Sequence, residues 1–476
     1  MQEERNKASI RGKITIKGVL KLESPLRIGA GEQGTKEADV YVLKDRDGNP
    51  IIPGSSLAGV LRANFSHSPL VDDLFGFIHY DKKEKEVQQS ALVVSDIVLS
   101  NAEIVVRDGV SINHETGIAN NGAKFNYEVV NPGAEGNICI TITLRENDLD
   151  NIDIIKNDLD NIDIIKNEGD KIAELLCSGC EIGSLTTKGF GRVYCQEVKV
   201  NYYDFTRPEA VRAWLTKQPV DEEKSFKRVQ NCWNENEFVV EGEFSINGSL
   251  LVRQTPDDVM GSVTVAAKQM EGKDKKGKDC FIIPGTSIKG VLRHKAKDIL
   301  GTLGIKDFEK KLDELMGSSA KGKSRFWVDE VCIDKSNVIY EQQGRNKIDR
   351  FTGGTMSGHL FADIPVWQIS PWDKHGDGAW QRKPIKPAIK IRYGIKNCKP
   401  WEAGIALFLL KELCLGKIAV GGGKSIGRGT LTGVGAVIHF NNECIQLNKY
   451  GQVQGNSVAE HLSKLNDYEK ALLGDR

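Results

Sequence analysis

The sequence predicts an α+β fold written twice in tandem. One segment recurs: IPGSSLAGVLRA at 52–63 returns as IPGTSIKGVLRH at 283–294. Each copy is followed by a Gly-rich basic segment, SLTTKGFGRV at 184–193 and GGGKSIGRGTL at 421–431. Pro53 and Gly191 lie 138 residues apart, and Pro284 and Gly427 lie 143 apart. Two motifs repeated in the same order at matching spacing mark a duplicated module. Between them, strand periodicities dominate and only two helical runs appear per copy.

The chain has 476 residues, enough for two to four domains. Hydrophobic residues make up 39% and charged residues 27%, which suits globular domains with real cores. No stretch reaches the apolar length of a membrane span, and MQEERNKASIRG carries no signal-peptide core. The ten cysteines are scattered, as expected in a reducing, cytoplasmic setting. With 65 basic and 65 acidic residues the net charge is zero. A simple polycation is excluded, but basic residues clustered beside glycines remain a candidate footprint for nucleic acid.

GKITIKGVLKL (12–22) alternates at period two and predicts a strand. A Gly-rich charged loop follows at 23–39. DVYVLKDRDGNPII (39–52) reads as strand, Asp-Gly turn and strand. Ser55 or Ser56 is placed to cap the next helix, with Leu57, Val60, Leu61 and Phe65 at helical spacing. Residues 91–107 read as strand, and 114–146 as one long hairpin. NDLDNIDIIK then occurs twice running (147–156, 157–166) and predicts a solvated insertion, followed by a helix over 171–183. The second copy repeats the order, with 323–333 matching 90–99, 346–367 matching 113–130, and 401–416 matching 171–183. The expected domains are 1–200, a linker at 201–236, a second domain at 237–440 and a polar tail at 441–476, either helical or disordered. Strands paired with two helices per copy predict a ferredoxin-like, RRM-like sandwich.

The Gly-rich segments are the first candidates for chemistry. Glycines let backbone N–H groups approach a phosphate, and Lys or Arg adds charge. Lys188, Gly189, Gly191 and Arg192 in one copy pair with Lys424, Ser425, Gly427, Arg428 and Gly429 in the other. GGGKS is not a nucleotide-triphosphate loop, because that pattern needs glycine where Ile418 stands. The alternative reading is a tight helix-to-strand connection. The helix starts at Ser55, Ser56, Thr286 and Ser287 are anion sites or ordinary caps, and Arg62 and Arg293 lie one to two turns in. Cys177 and Cys180 form a lone C-x-x-C and read, like Cys414, as helix-end thiols. His67 and His294 follow the two IPG helices and show no paired spacing. Phe125, Tyr127, Phe351 and His359 fall in the predicted hairpins, where bases can stack.

The paired IPGSSLAGVLR and KGFGR motifs resemble the RAMP superfamily of CRISPR-associated proteins. The resemblance covers roughly 10–200 and 237–440. Its nearest likeness is to the backbone subunits of type III effector complexes, and the tandem copies are similar to the double-module fusion subunit of subtype III-D. The resemblance implies two ferredoxin-like domains with long hairpin thumbs. It implies guide CRISPR RNA held by the Gly-rich loops, the IPG helices and Arg27. It also implies complementary target RNA and other RAMP-type and large subunits as partners, with no membrane. Some such subunits cut target RNA at one aspartate in the loop after the first strand, with a metal such as Mg²⁺. The matching residue here is Asp39, as catalytic and metal-binding group, with Glu32 and Glu37 as weaker neighbours. In the second copy the matching position counts to Val263 or Thr264, which implies a non-cutting RNA binder unless Asp257 or Asp258 substitutes. A scaffold without catalysis and a guide-processing ribonuclease are the competing readings.

Overall fold

The computed structural model describes residues 9–29, 38–80, 85–113, 116–145, 161–218, 223–229, 236–254, 264–318, 321–368, 372–374, 380–382, 387–441, 443–455 and 457–474. It divides into two compact units. The first comprises 1–105, 128–184 and 191–232, and the second 106–127, 185–190 and 233–476. The expected role of Asp257 and Asp258, and that of Glu32 and Glu37, lies outside the described residues.

The first copy runs β1 (Ile10–Leu22), β2 (Ile51–Ile52), α1 (Gly54–Asn64), β3 (Leu92–Val94), β4 (Ile97–Ser100), β5 (Ile104–Ile112), β6 (Ala119–Val130), β7 (Glu135–Arg145), α2 (Asn161–Ser178), β8 (Arg192–Asp204), α3 (Pro208–Thr216) and β9 (Glu223–Lys227). The strand predicted at 12–22 lies at the centre of its sheet. Ile16 pairs antiparallel with Val200 of β8 on one side and with Ile140 of β7 on the other. β3 and β4 continue the sheet beyond β7. Period-two alternation sends Ile14, Ile16, Leu20 and Leu22 inward, each no more than 1% exposed. They share one core with Leu57 and Leu61 of α1 and Ile172, Ala173 and Leu176 of α2. Full burial of each such side chain contributes roughly 1.5–3 kcal/mol.

The second copy repeats this plan with β10 (Glu237–Asn247), β11 (Thr264–Gln269), β12 (Asp279–Ile283), α4 (Gly285–Thr302), β13 (Phe326–Val328), β14 (Val331–Asp334), β15 (Gln343–Ile348), β16 (Thr355–Ile364), β17 (Ile389–Lys396), α5 (Pro400–Cys414), β18 (Thr430–Phe440), β19 (Glu443–Asn448) and α6 (Val458–Leu473). Gly242 of β10 pairs with Ile391 of β17 and Ala436 of β18. Both copies therefore follow the order β–α–β–β–α–β, with the first strand between the third and the fourth.

Three sequence expectations are corrected, and one that was left open is decided. The long hairpin is β5–β6, not 114–146. The Asn131-Pro132-Gly133 turn separates it from β7, and the alternating run Ile138–Leu144 pairs with β1 instead. From Asn161 onward the second of the two decapeptides is helical, as the start of α2. Its Ile162 and Ile165 continue the helical spacing of Gly169, Ile172 and Leu176. The described residues of the presumed linker are structured. Pro208 occupies the first turn of α3, where its missing N–H costs nothing, and β9 pairs with β8. The tail, expected to be helical or disordered, is helical over Val458–Leu473: α6 lies against α5, and before it β19 pairs with β18. Its composition reads as polar because only one stripe is apolar. Leu472 is fully buried, and the Tyr468 ring meets those of Phe238 and Phe440.

The α5–α6 crossing depends on Gly404, where an added Cβ would lie 2.5 Å from the Tyr468 carbonyl oxygen. Replacing it with valine is expected to lower stability by about 1–3 kcal/mol through overpacking. Thermal unfolding would show a lower midpoint, and limited proteolysis would cut earlier within 458–473 than in the native chain.

Candidate nucleic-acid interface

The Gly-rich segment has the same backbone in both copies. The N–H groups of Ser184 and Gly422 donate to the carbonyls of Arg27 (2.9 Å) and Leu251 (2.7 Å). Those of Gly191 and Gly429 donate to Pro25 (2.7 Å) and Ser249 (2.8 Å). A Cβ at Gly191 would lie 1.9 Å from the Ile182 oxygen, and one at Gly429 2.0 Å from the Val420 oxygen. Both have φ near +80°, at 76° and 82°. No other residue satisfies both demands. Between these anchors each loop makes one 3-10 turn, Thr186–Lys188 and Thr430-proximal Lys424–Ile426, flanked by left-handed residues: Leu185 and Gly189 in one, Gly423 and Gly427 in the other.

This geometry changes the residue pairing read from composition. Lys188 superposes in role on Ile426, Thr187 on Ser425, Phe190 on Arg428 and Arg192 on Thr430. The basic side chains thus occupy different places in the two loops, because the glycines, not the charges, fix the register. Lys424 is exposed and Lys188 half-buried.

Arg428 is committed inward. Its side chain is 2% exposed, its Nη1 donates to Asp363 of β16 (2.9 Å), and its Nη2 donates to Gln343 of β15 (2.9 Å). The first copy fills the same place with an aromatic contact. Leu26 bridges Val130 as Leu250 pairs with Val366. Counting back three residues matches Tyr127 to Asp363, and Tyr127 packs on Phe190 with ring centroids 6.5 Å apart. An ion pair in one copy and two rings in the other both fasten the loop to its hairpin.

Two buried cations escaped the sequence reading. Arg107 lies over the Phe190 ring and donates to Glu330 at 2.5 and 3.3 Å, with side chains 2% and 5% exposed. Lys289 Nζ donates to the Phe326 carbonyl (2.7 Å) and to Thr187 Oγ1 (3.0 Å). Burial, then the neighbouring charges of Lys188 and Arg293, push its pKa down to about 7. The available signal was the repeat itself: Lys289 interrupts the helix motif where the first copy has Ala58.

The IPG helix starts are capped by Pro53 and Pro284, with no side-chain cap bond. Ser55, Ser56, Thr286 and Ser287 fall inside the first turn, because proline already sets the entry geometry. In the first copy the Gly54 N–H donates to Asp96 (2.7 Å). Arg62 and Arg293 make one duplicated clamp. Arg62 donates to the Gly76 carbonyl (2.6 Å) and Asp72 (2.9 Å). Arg293 donates to the Gly317 carbonyl (2.8 Å) and Asp313 (2.5 Å). Phe125 and Phe351 are exposed on their hairpins, whereas Tyr127 is buried; the side chain of His359 lies outside the described residues. Cys177 and Cys180 are buried free thiols.

Asp39 is exposed and immediately precedes Val40, whose carbonyl accepts from the Glu128 N–H (2.9 Å). The Glu128 carboxylate in turn accepts from the Val42 N–H (3.0 Å) and pairs with Lys44. The second-copy counterpart follows from matching hydrogen bonds. Leu43 donates to Ile28 as Met270 donates to Val252, both at 2.9 Å. Counting back four residues sets Ala266 opposite Asp39, three positions beyond Val263, so the second loop is longer than its sequence count implied. It still carries no carboxylate at that place. Among the described residues no group of three or more His, Cys, Asp or Glu could hold a metal ion. A single carboxylate supplies one of the six oxygens Mg²⁺ requires, so these residues alone do not form a Mg²⁺ site.

A tandem β–α–β–β–α–β protein with a glycine-built basic loop in each copy is the class these features define. The profile of the RAMP superfamily matches residues 19–194 and 258–432. The chain belongs to the RAMP superfamily of CRISPR-associated, RNA-binding proteins. No curated protein matches it. Among the described residues no helix is long and apolar enough to cross a membrane.

Two measurements check this anatomy. Arg428→Phe alone leaves buried Asp363 with only the more distant Arg345 (3.9 Å) and is expected to cost about 3 kcal/mol. Adding Asp363→Tyr, which recreates the pair used in the first copy, should recover at least half of that loss in denaturant unfolding. For Lys289, the folded pKa lies below the unfolded value, so the unfolded chain binds more protons between pH 7 and 10. Unfolding free energy should therefore rise with pH across that window, by at most about 1.4 kcal/mol per unit. Lys289→Met should flatten that slope in a pH series of unfolding curves.

Proposed function

We propose that this chain is a guide-RNA-binding backbone subunit of a type III CRISPR effector complex, with two ferredoxin-like modules, and that its first module cuts complementary target RNA at Asp39. The observation that carries the reading is the duplicated loop, built twice on the same glycine and carbonyl contacts within a chain of the RAMP superfamily. The β–α–β–β–α–β order supports the ferredoxin-like assignment, and the exposed hairpin side chains Phe125 and Phe351 support hairpins that reach between guide and target. Lys188 and Lys424 are the loop cations offered to guide phosphates. Arg62, Arg293 and Arg428 act through the frame they brace. Neighbouring RAMP-type and large subunits complete the assembly.

In the cutting step the Asp39 carboxylate takes the proton of a target 2′-hydroxyl. The 2′-oxygen forms a bond to the adjacent phosphorus, and the bond from phosphorus to the 5′-oxygen breaks. The leaving 5′-oxygen receives the proton, giving a 2′,3′-cyclic phosphate and a 5′-hydroxyl. A Mg²⁺ ion at this place would draw its remaining ligands from RNA and water. Ala266 makes the second module an RNA binder that does not cut.

The test is cleavage of target RNA by the reconstituted complex, with Mg²⁺ and with EDTA. Asp39→Ala is expected to remove one band, slowing that cut by about 10² or more, while assembly is retained. A cut that persists at the native rate makes the chain a scaffold. Lys424→Ala should weaken guide binding uniformly across sequences and flatten its log–log salt dependence by about one unit.

A further inference from the structure

The IPG helices start alike but end differently. α1 stops at Asn64, whereas α4 continues to Thr302, about two turns further along the shared motif. In the second unit those turns lie on α5. Ala296 and Leu300 share a buried core with Ile405 and Leu409, and Lys295 pairs with Glu412 (2.7 Å). In the first unit the chain turns back after α1 instead, with the Ser68 N–H donating to the Phe65 carbonyl (2.8 Å). A cleft of about 450 Å³ lies there against α2. Phe65, Pro69 and Leu175 give it apolar wall, and Ser68, Glu168 and Lys171 give it polar groups.

The helices α2 and α5 match through the glycines that end them. A Cβ on Gly179 would lie 3.1 Å from the Val193 oxygen, and one on Gly416 3.2 Å from the Leu431 oxygen. Counting back from these glycines sets Glu168 opposite Ile405, Lys171 opposite Phe408 and Leu175 opposite Glu412. Ile405 is fully buried, so the fold accepts an apolar residue at that place. Glu168 is only 5% exposed, and a carboxylate withdrawn from water is costly unless its oxygens are engaged. Where the second copy packs a helix on an aliphatic residue, the first copy thus keeps a cleft and lines it with a charge the fold does not require.

Lys171 Nζ donates to Glu168 Oε1 (2.7 Å), and Ser68 Oγ donates to Oε2 (3.3 Å). A carboxylate offers about four lone-pair sites, so each oxygen keeps one to spare, and together they form a bidentate acceptor. Two parallel N–H donors match it, as on a guanidinium or on the N1–H and N2–H edge of guanine. Lys171 decides between them. Its ammonium repels a guanidinium but donates to an acceptor beside the two donors, which guanine carries as O6.

We propose that this cleft binds a guanine base. N1–H and N2–H donate to Glu168, O6 accepts from Lys171, and the ring lies against Phe65 and Leu175. Adenine would set its N1 acceptor against the carboxylate and is rejected. The base belongs either to a free guanine nucleotide or to an unstacked guanine of single-stranded RNA.

Isothermal titration of the full chain without guide tests this with GMP, AMP and IMP. GMP is expected to bind with a Kd below about 1 mM, AMP at least tenfold more weakly, and IMP, which lacks the 2-amino group, between the two. Glu168→Gln and Lys171→Met should each weaken GMP binding at least tenfold. Melting curves confirm folding, and if Glu168→Gln does not fold, Lys171→Met decides, because that side chain is 59% exposed. Fluorescence anisotropy with UUGUU and UUAUU pentamers separates the sources. GMP binding marks a free-nucleotide site, whereas a preference for UUGUU that is lost in the variants, without GMP binding, marks an RNA base. Equal binding of GMP and AMP overturns the proposal, as does the absence of both GMP binding and a UUGUU preference, or guanine binding unchanged in the folded variants. No guide or target takes part, so the outcome is independent of cleavage at Asp39.

Discussion

Each copy depends on one steric constraint. Gly191 and Gly429 pass within 2.0 Å, by their absent Cβ, of the carbonyl oxygens of Ile182 and Val420. Any side chain would push the loop off the end of β1 or β10 and break the hydrogen bonds to Pro25 or Ser249. That contact sets where the 3-10 turn sits, which residue precedes it inward, and which residues remain on the surface. The charges of the loop are passengers on this frame.

The frame is the same in both copies, but its fastenings differ. One copy closes the loop onto its hairpin with Tyr127 and Phe190, the other with Asp363 and Arg428. Rings supply buried area without a directional demand. A buried ion pair supplies direction at a desolvation cost, and binds the two elements into one register. Arg62 and Arg293, by contrast, brace the same turn in the same way in both copies. Parts shared by the copies serve the fold, and parts that differ are where the copies have taken separate work.

The two modules therefore share one plan and differ at single positions on it. Asp39 faces Ala266 across the alignment of the copies, Lys188 faces Ile426, and Lys289 faces Ala58. Each exchange swaps a charged group for an apolar one on the same backbone.

The sequence by itself determined the duplication, the period-two central strands and the apolar stripe of each IPG helix, because these are local patterns of spacing and composition. It could not place the Asn131–Gly133 break or the pairing of the loop residues, and it could not decide between helix and disorder in the tail. Polar composition hides a helix such as α6, whose apolar stripe is satisfied by a distant partner at Gly404. Charge in a glycine loop likewise reads as available until a carboxylate far along the chain is folded against it, as Asp363 is against Arg428. Only the tertiary structure decided which arginines are braces and which lysines face solvent, since that depends on long-range partners that no local pattern encodes.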